Sequence, residues 1–136
     1  MSEDKTPPPN VWPTLRATDA RALIDFLVAA FGFVEVAAYG EGDLIVHAQL
    51  AWPEGGGIML GDDRRDGSPW TLKPGTFGCY VVTAEPDALH ARATAAGAEI
   101  IQELEDADYG SRGFAARDPE GNLWSFGTYR GEPISV

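Results

Sequence analysis

A few side chains in this sequence are equipped to do more than pack, and they are scattered rather than clustered. His47 carries an imidazole and is the candidate general acid or base; the alternative is a half-exposed strand histidine making a single hydrogen bond. Arg16 needs an anionic partner, either a ligand group or one of the chain's many carboxylates. Cys79 is the only cysteine. A reactive thiolate requires a helix N-terminus or a basic neighbour, and sequence places neither beside it, so the competing reading is a small buried apolar residue. Trp12 is either a stacking platform or a filler, and Met59 is a soft filler in both cases. Trp70 and Tyr109 stand on connections, where recognition residues concentrate; for Trp70 the alternative is a surface patch or a subunit contact.

Composition narrows what these residues act on. Ten Lys and Arg against 21 Asp and Glu give a net charge of −11, which repels nucleic acid and anionic membrane surfaces and favours cationic small molecules. A single cysteine forms no intramolecular disulfide and no thiolate cluster for zinc, which fits a cytoplasmic protein. No apolar run is long enough to span a bilayer, and MSEDKTPPPN lacks the order of a signal peptide. At 136 residues the length fits one domain, and 44% hydrophobic residues suffice for a core.

The elements that must position these groups follow from periodicity. Residues 1–10 read as an extended proline-rich arm and 11–18 as a strand. Asp19 caps a helix built on Leu23, Ile24, Leu27, Val28 and Phe31 and stopped by Gly32. Strands follow at 33–39, 44–52 and 57–61. In the second of these, Leu44, Val46, Ala48, Leu50 and Trp52 form the apolar face, and His47 and Gln49 lie on the other. Residues 62–75 have the charges, Gly and Pro of a linker. A strand at 76–83, a helix opened by Pro86 and ended by Gly97, and a strand at 98–106 come next. Asp118-Pro119-Glu120-Gly121 then turns a hairpin between 112–117 and 123–129, with Trp124 and Phe126 on one face. The element order occurs twice, so an internal repeat is expected, with modules at 11–61 and 76–129 and a tail at 130–136.

A duplicated βαβββ unit with LIDFLVAAFGF, HAQL followed by IMLGD, and YGSRGFAARDPEGNLWSFGT resembles the vicinal oxygen chelate superfamily, the glyoxalase, bleomycin-resistance and dioxygenase group, and most of all its PhnB-like branch. The resemblance implies an α+β fold in which two tandem modules form curved mixed sheets around a concave cleft, with helices on the outer face. In metal-dependent members each module gives one ligand from its first strand and one from its fourth. Those places fall here at Trp12, Met59, Cys79 and Ser125, none a His or a carboxylate, so neither a metal nor any other cofactor is expected.

Alignment on Trp12 then directs Trp12, Thr14 and Arg16 into the concavity, with Phe77 and Cys79 from the equivalent strand, Met59 and Ser125 from the fourth strands, and His47 and Gln49. The cleft expected has aromatic walls and few polar groups, the make-up of a small-molecule pocket. The leading expectation is a metal-free binding protein that sequesters a planar, largely apolar compound, with positive charge favoured by the acidic chain. The alternatives are a metal-independent lyase or isomerase using His47 and Arg16, and, disfavoured, a metal-dependent lyase or dioxygenase. A homodimer is expected, since such modules complete one another's clefts across a two-fold axis. Purified protein should carry no stoichiometric transition metal by elemental analysis. About one ion per chain, lost on replacing the four residues, contradicts the reading.

Overall fold

The computed structural model describes residues 7–64 and 66–135. Strand β1 (Thr14–Ala17) leads into helix α1 (Ala20–Phe26), whose first turn is closed by the Asp19 carboxylate accepting from Ala22 N at 3.1 Å. A π-helical turn, Leu27–Phe31, extends it, and Gly32 ends it at φ 87°, a left-handed conformation that glycine adopts without strain. Then come β2 (Val34–Glu41), β3 (Leu44–Ala51) and β4 (Gly57–Asp62). The second half repeats the order with β5 (Gly78–Val82), α2 (Pro86–Ala95), β6 (Glu99–Asp106), β7 (Arg112–Arg117) and β8 (Leu123–Gly127). The sheets have identical strand orders, β1-β4-β3-β2 and β5-β8-β7-β6, with the first and last strand of each module parallel. This is the expected pair of βαβββ units. Of the proline arm expected over 1–10, the first six residues lie outside those described, and the Pro9 carbonyl accepts from Trp12 Nε1 at 2.9 Å. No helix among the described residues is long and apolar enough to cross a membrane.

One core joins the halves. Phe31 from the π turn packs at 4.7 Å from Phe126 and 5.8 Å from Trp124, and Trp52 donates its indole N–H to the Val82 carbonyl at 2.8 Å. Arg92 on α2 donates to the carbonyls of Ala29 and Val28, at 2.9 and 3.0 Å, and joins the second module to the π turn. Helical spacing alone did not reveal this turn, because its apolar residues stay in phase with an α-helix.

Two local expectations are corrected. In β3 the buried residues are Ile45, Ala48 and Leu50, whereas Leu44 and Val46 are exposed. Tyr39 faces His47 and the next residue, Gly40, faces Ile45, so Val46 is an extra residue in β3 and reverses the alternation at that end. Asp62 belongs to β4 rather than to a linker. Its buried carboxylate accepts from Ala20 N and Ile45 N, both at 2.7 Å, and fastens the start of α1 to the sheet.

The hairpin turn is held by Asp118. One carboxylate oxygen accepts from the amides of Glu120 and Asn122, and the other from Asn122 Nδ2 and Trp124 Nε1, at 2.9–3.0 Å. Glu120, next to it, accepts from Thr18 N at 2.6 Å and Asp19 N at 2.8 Å and ties the second module to the first. Replacing Asp118 by Ala strands donors of Asn122 and Trp124, both fully buried. Each buried group left unpaired costs about 1–3 kcal/mol, so Asp118→Ala should lower unfolding stability by roughly 3 kcal/mol or more in urea titration. The exposed control Asp108→Ala should stay within about 0.5 kcal/mol, and comparable losses for both contradict the assignment.

Candidate ligand-binding site

Strand alternation buries Leu15 and Ala17 and sends Trp12, Thr14 and Arg16 to the opposite, concave face. Thr14 lies beside Met59 and Arg16 beside Gly61. The glycines flanking Met59 make room for large neighbours: a Cβ on Gly57 would fall 2.9 Å from the Trp12 ring, and one on Gly61 would fall 2.5 Å from Arg16 Nη1. Gln49 pairs with Met59 across β3 and β4, and His47 stacks on Tyr39 with parallel rings 6.4 Å apart. Thr14, Arg16, His47, Met59 and Trp70 together line one open cavity of about 260 Å³. Trp12 adjoins this group over Gly57, and Gln49 adjoins it at Met59.

Among the described residues Arg16 is the only arginine or lysine that lines this cavity. Its Nε donates to the Trp70 carbonyl at 3.0 Å and Nη1 to the Val46 carbonyl at 3.4 Å. Those bonds fix the plane of the guanidinium and hold the 63–75 connection beside the concave face. The exposed Trp70 thus stands at the cavity wall.

The second module corrects the expected phase. Cys79 lies beside Trp124 and Val81 beside Phe126, so Cys79 and Phe77 pack against the core rather than into the concavity. Phe77 sits 5.6 Å from Trp124, and its amide donates to Asn122 Oδ1. Burial pushes the Cys79 thiol up from its usual range, which disfavours the thiolate a nucleophile requires. The concave residue beside Ser125 is Tyr80. Its phenol, pushed up chiefly by burial, donates to the Tyr129 carbonyl at 2.6 Å. Tyr80, Ser125 and Tyr109 line a cavity of about 100 Å³ with Gln102, Glu105 and Ser111. Tyr109 is largely exposed, edge-on to Tyr129.

Sequence reasoning missed Tyr80, Gln102, Glu105 and Ser111. For Tyr80 a signal existed: β5 neighbours β8, whose core residues Trp124 and Phe126 fix the shared inward face. The expected site therefore divides into Thr14, Arg16, His47, Met59 and Trp70 at one cavity and Tyr109 and Ser125 at another. Cys79 lines a third, of about 350 Å³, at the seam between modules with Trp52 and Phe33.

Moving the second-module ligand place from Cys79 to its concave neighbours, Gly78 and Tyr80, still supplies no imidazole or carboxylate. Among the described residues no three His, Cys, Asp or Glu converge to hold an ion. The donors of the first concave face, a guanidinium, an imidazole and a hydroxyl beside a thioether and an indole, suit hydrogen bonding and stacking of an organic molecule.

Comparison with known proteins agrees with this architecture. An uncharacterized protein of Mycobacterium bovis is 33% identical over 126 residues, covering 88% of this chain and 82% of its own. The crystal structure of TioX from Micromonospora sp. ML1 superposes with a TM-score of 0.70 at 31% identity, covering 87% of this chain and 98% of that one. A superfamily member from Sphaerobacter thermophilus shares the fold at a TM-score of 0.66 and 22% identity, over 84% of this chain and 91% of its own. With the sequence profile of the family matching residues 11–126, the chain belongs to the Glyoxalase/Bleomycin resistance protein/Dioxygenase superfamily.

Proposed function

We propose that this protein is a metal-free small-molecule binder that sequesters a flat, largely apolar compound on the concave face of its first module. The observation that carries the reading is the cavity of about 260 Å³, in which an indole, a thioether and a few polar groups converge on a sheet face with no core function. Binding then protects or buffers by mass action, with no bond made or broken. The segments LIDFLVAAFGF and YGSRGFAARDPEGNLWSFGT support a place in the PhnB-like branch, and the lone cysteine fits a cytoplasmic setting.

A second reading rests on His47 and Arg16 lining the same cavity: a metal-independent lyase or isomerase, with His47 moving a proton and Arg16 holding an anionic group. The two are separated by whether a bound compound is recovered unchanged.

We further propose a homodimer. Each concave face is open in the single chain, the two cavities share no lining residue, and β1 and β5 are edge strands. Tyr39, Val46, Trp70, Tyr80 and Leu123 are exposed large apolar residues that a partner's module would cover.

Quenching of tryptophan fluorescence by a panel of aromatic compounds, paired with a product assay, tests the function. An aromatic contact contributes roughly 0.5–1.5 kcal/mol beyond the area it buries, so Trp12→Ala and Trp70→Ala should each weaken binding severalfold without unfolding the protein. His47→Ala should have the smaller effect. Unchanged affinity in both tryptophan variants, with product formation that depends on His47, transfers the assignment to the enzyme. Light scattering should give a dimer at micromolar concentration; a monomer removes the shared cleft.

A further inference from the structure

Arg16 and Arg92 are the two arginines described that bond backbone carbonyls rather than a carboxylate, and of the two only Arg16 lines a concave cavity. Arg21, Arg64, Arg112, Arg117 and Arg130 each reach a carboxylate within 4.0 Å, and Arg92 is occupied by the carbonyls that end the π turn. Arg16 has no carboxylate at that distance among the described residues, and its hydrogen bonds go to two backbone carbonyls, which carry no full charge. In a chain of net charge −11 a counter-ion was available by composition, yet among the described residues none lies within ion-pair distance of Arg16. The carboxylates of the adjoining cavity are engaged elsewhere: Asp62 accepts from two amides and Asp66 pairs with Arg64.

The bonding pattern also leaves a direction free. Nε is taken by Trp70 O and one Nη1 hydrogen by Val46 O, so the other Nη1 hydrogen and those of Nη2 remain. A guanidinium fixed in plane, with donors left on both terminal nitrogens, matches the fork of a carboxylate. Thr14 and His47 line the same cavity, and the Trp70 ring stands beside it to stack on the ligand's body.

We propose that the concave face of the first module takes an aromatic carboxylate, its ring system against Trp70 and Met59 and its carboxylate on Arg16. This rests on the binding reading above and deepens it. It also revises the ligand charge drawn from composition, because the net charge acts across a screening length of about 8 Å in physiological salt whereas Arg16 would act in contact.

The test is calorimetric titration of the wild-type dimer or monomer, as it exists in solution, with 2-naphthoate, 2-naphthamide and 2-naphthylmethylammonium. These share a ring and differ in charge. Naphthoate should bind at least about tenfold more tightly than the amide, the size of one charge-assisted hydrogen-bond pair, and the ammonium most weakly. Arg16→Gln should erase the preference and Arg16→Lys keep part of it, with circular dichroism verifying the fold. Equal affinities in the wild type, or a preference that survives in Arg16→Gln, overturn the carboxylate assignment while leaving the binding face intact. No binding of any of the three overturns both.

Discussion

The Asp118 carboxylate is the fixed point from which the second sheet is built. Four donors converge on it from Glu120, Asn122 and Trp124, so the hairpin turn and the Trp124 ring are set by one group. Once the indole is locked inward, strand alternation decides everything along β8: Phe126 follows it into the core, and Ser125 and Gly127 face the concavity. Parallel pairing passes the same decision to β5, where Val81 and Cys79 turn inward and Tyr80 outward. Glu120 then carries the constraint across to the amides that open the first helix. Function enters only on the face that packing has left over.

On that face, small residues determine what can lie across the sheet. Trp12 occupies space above Gly57, Arg16 above Gly61 and Tyr80 above Gly127, each a place where a side chain would collide. The two modules share strand order and the glycine at Gly61 and Gly127, but not chemistry, and Leu123 stands where the first module has Gly57. The first presents a guanidinium, an imidazole, a thioether and an indole; the second presents phenols, a hydroxyl, an amide and a carboxylate. Duplication of the backbone has supplied two surfaces that can diverge, which is why the fold alone does not name the ligand.

Much of the fold was legible because its signals are local. Asp19, Gly32, Pro86, Gly97 and the Asp118-Pro119-Glu120-Gly121 turn each mark a boundary by backbone chemistry, and the repeat of element order needs no long-range contact to be seen. The facing of Thr14, Arg16 and Met59 was legible too, since they alternate with the buried Leu15, Ala17, Ile58 and Leu60, whereas His47 has the exposed Val46 on one side and the buried Ala48 on the other. What failed depended on pairing. Val46 is an extra residue only with respect to β2, and the faces of Cys79 and Tyr80 are chosen only by contact with β8, so neither is written in its own strand. The wide turn at Leu27–Phe31 is likewise tied to Arg92 of the other module.

The tryptophans offer a direct readout of where a small molecule goes, because the packing separates them. The indoles of Trp124 and Trp52 are engaged by Asp118 and by the Val82 carbonyl, while Trp70 stands exposed at the concave cavity. Nuclear magnetic resonance of the labelled protein, titrated with the uncharged probe 2-naphthamide, follows each indole N–H and the Met59 methyl separately. Binding on the concave face predicts that the Trp70 and Met59 signals move together and saturate while those of Trp52 and Trp124 hold still. Saturating shifts at Trp52 with Trp70 and Met59 unmoved would place the ligand in the seam between the modules and contradict the assignment of the site.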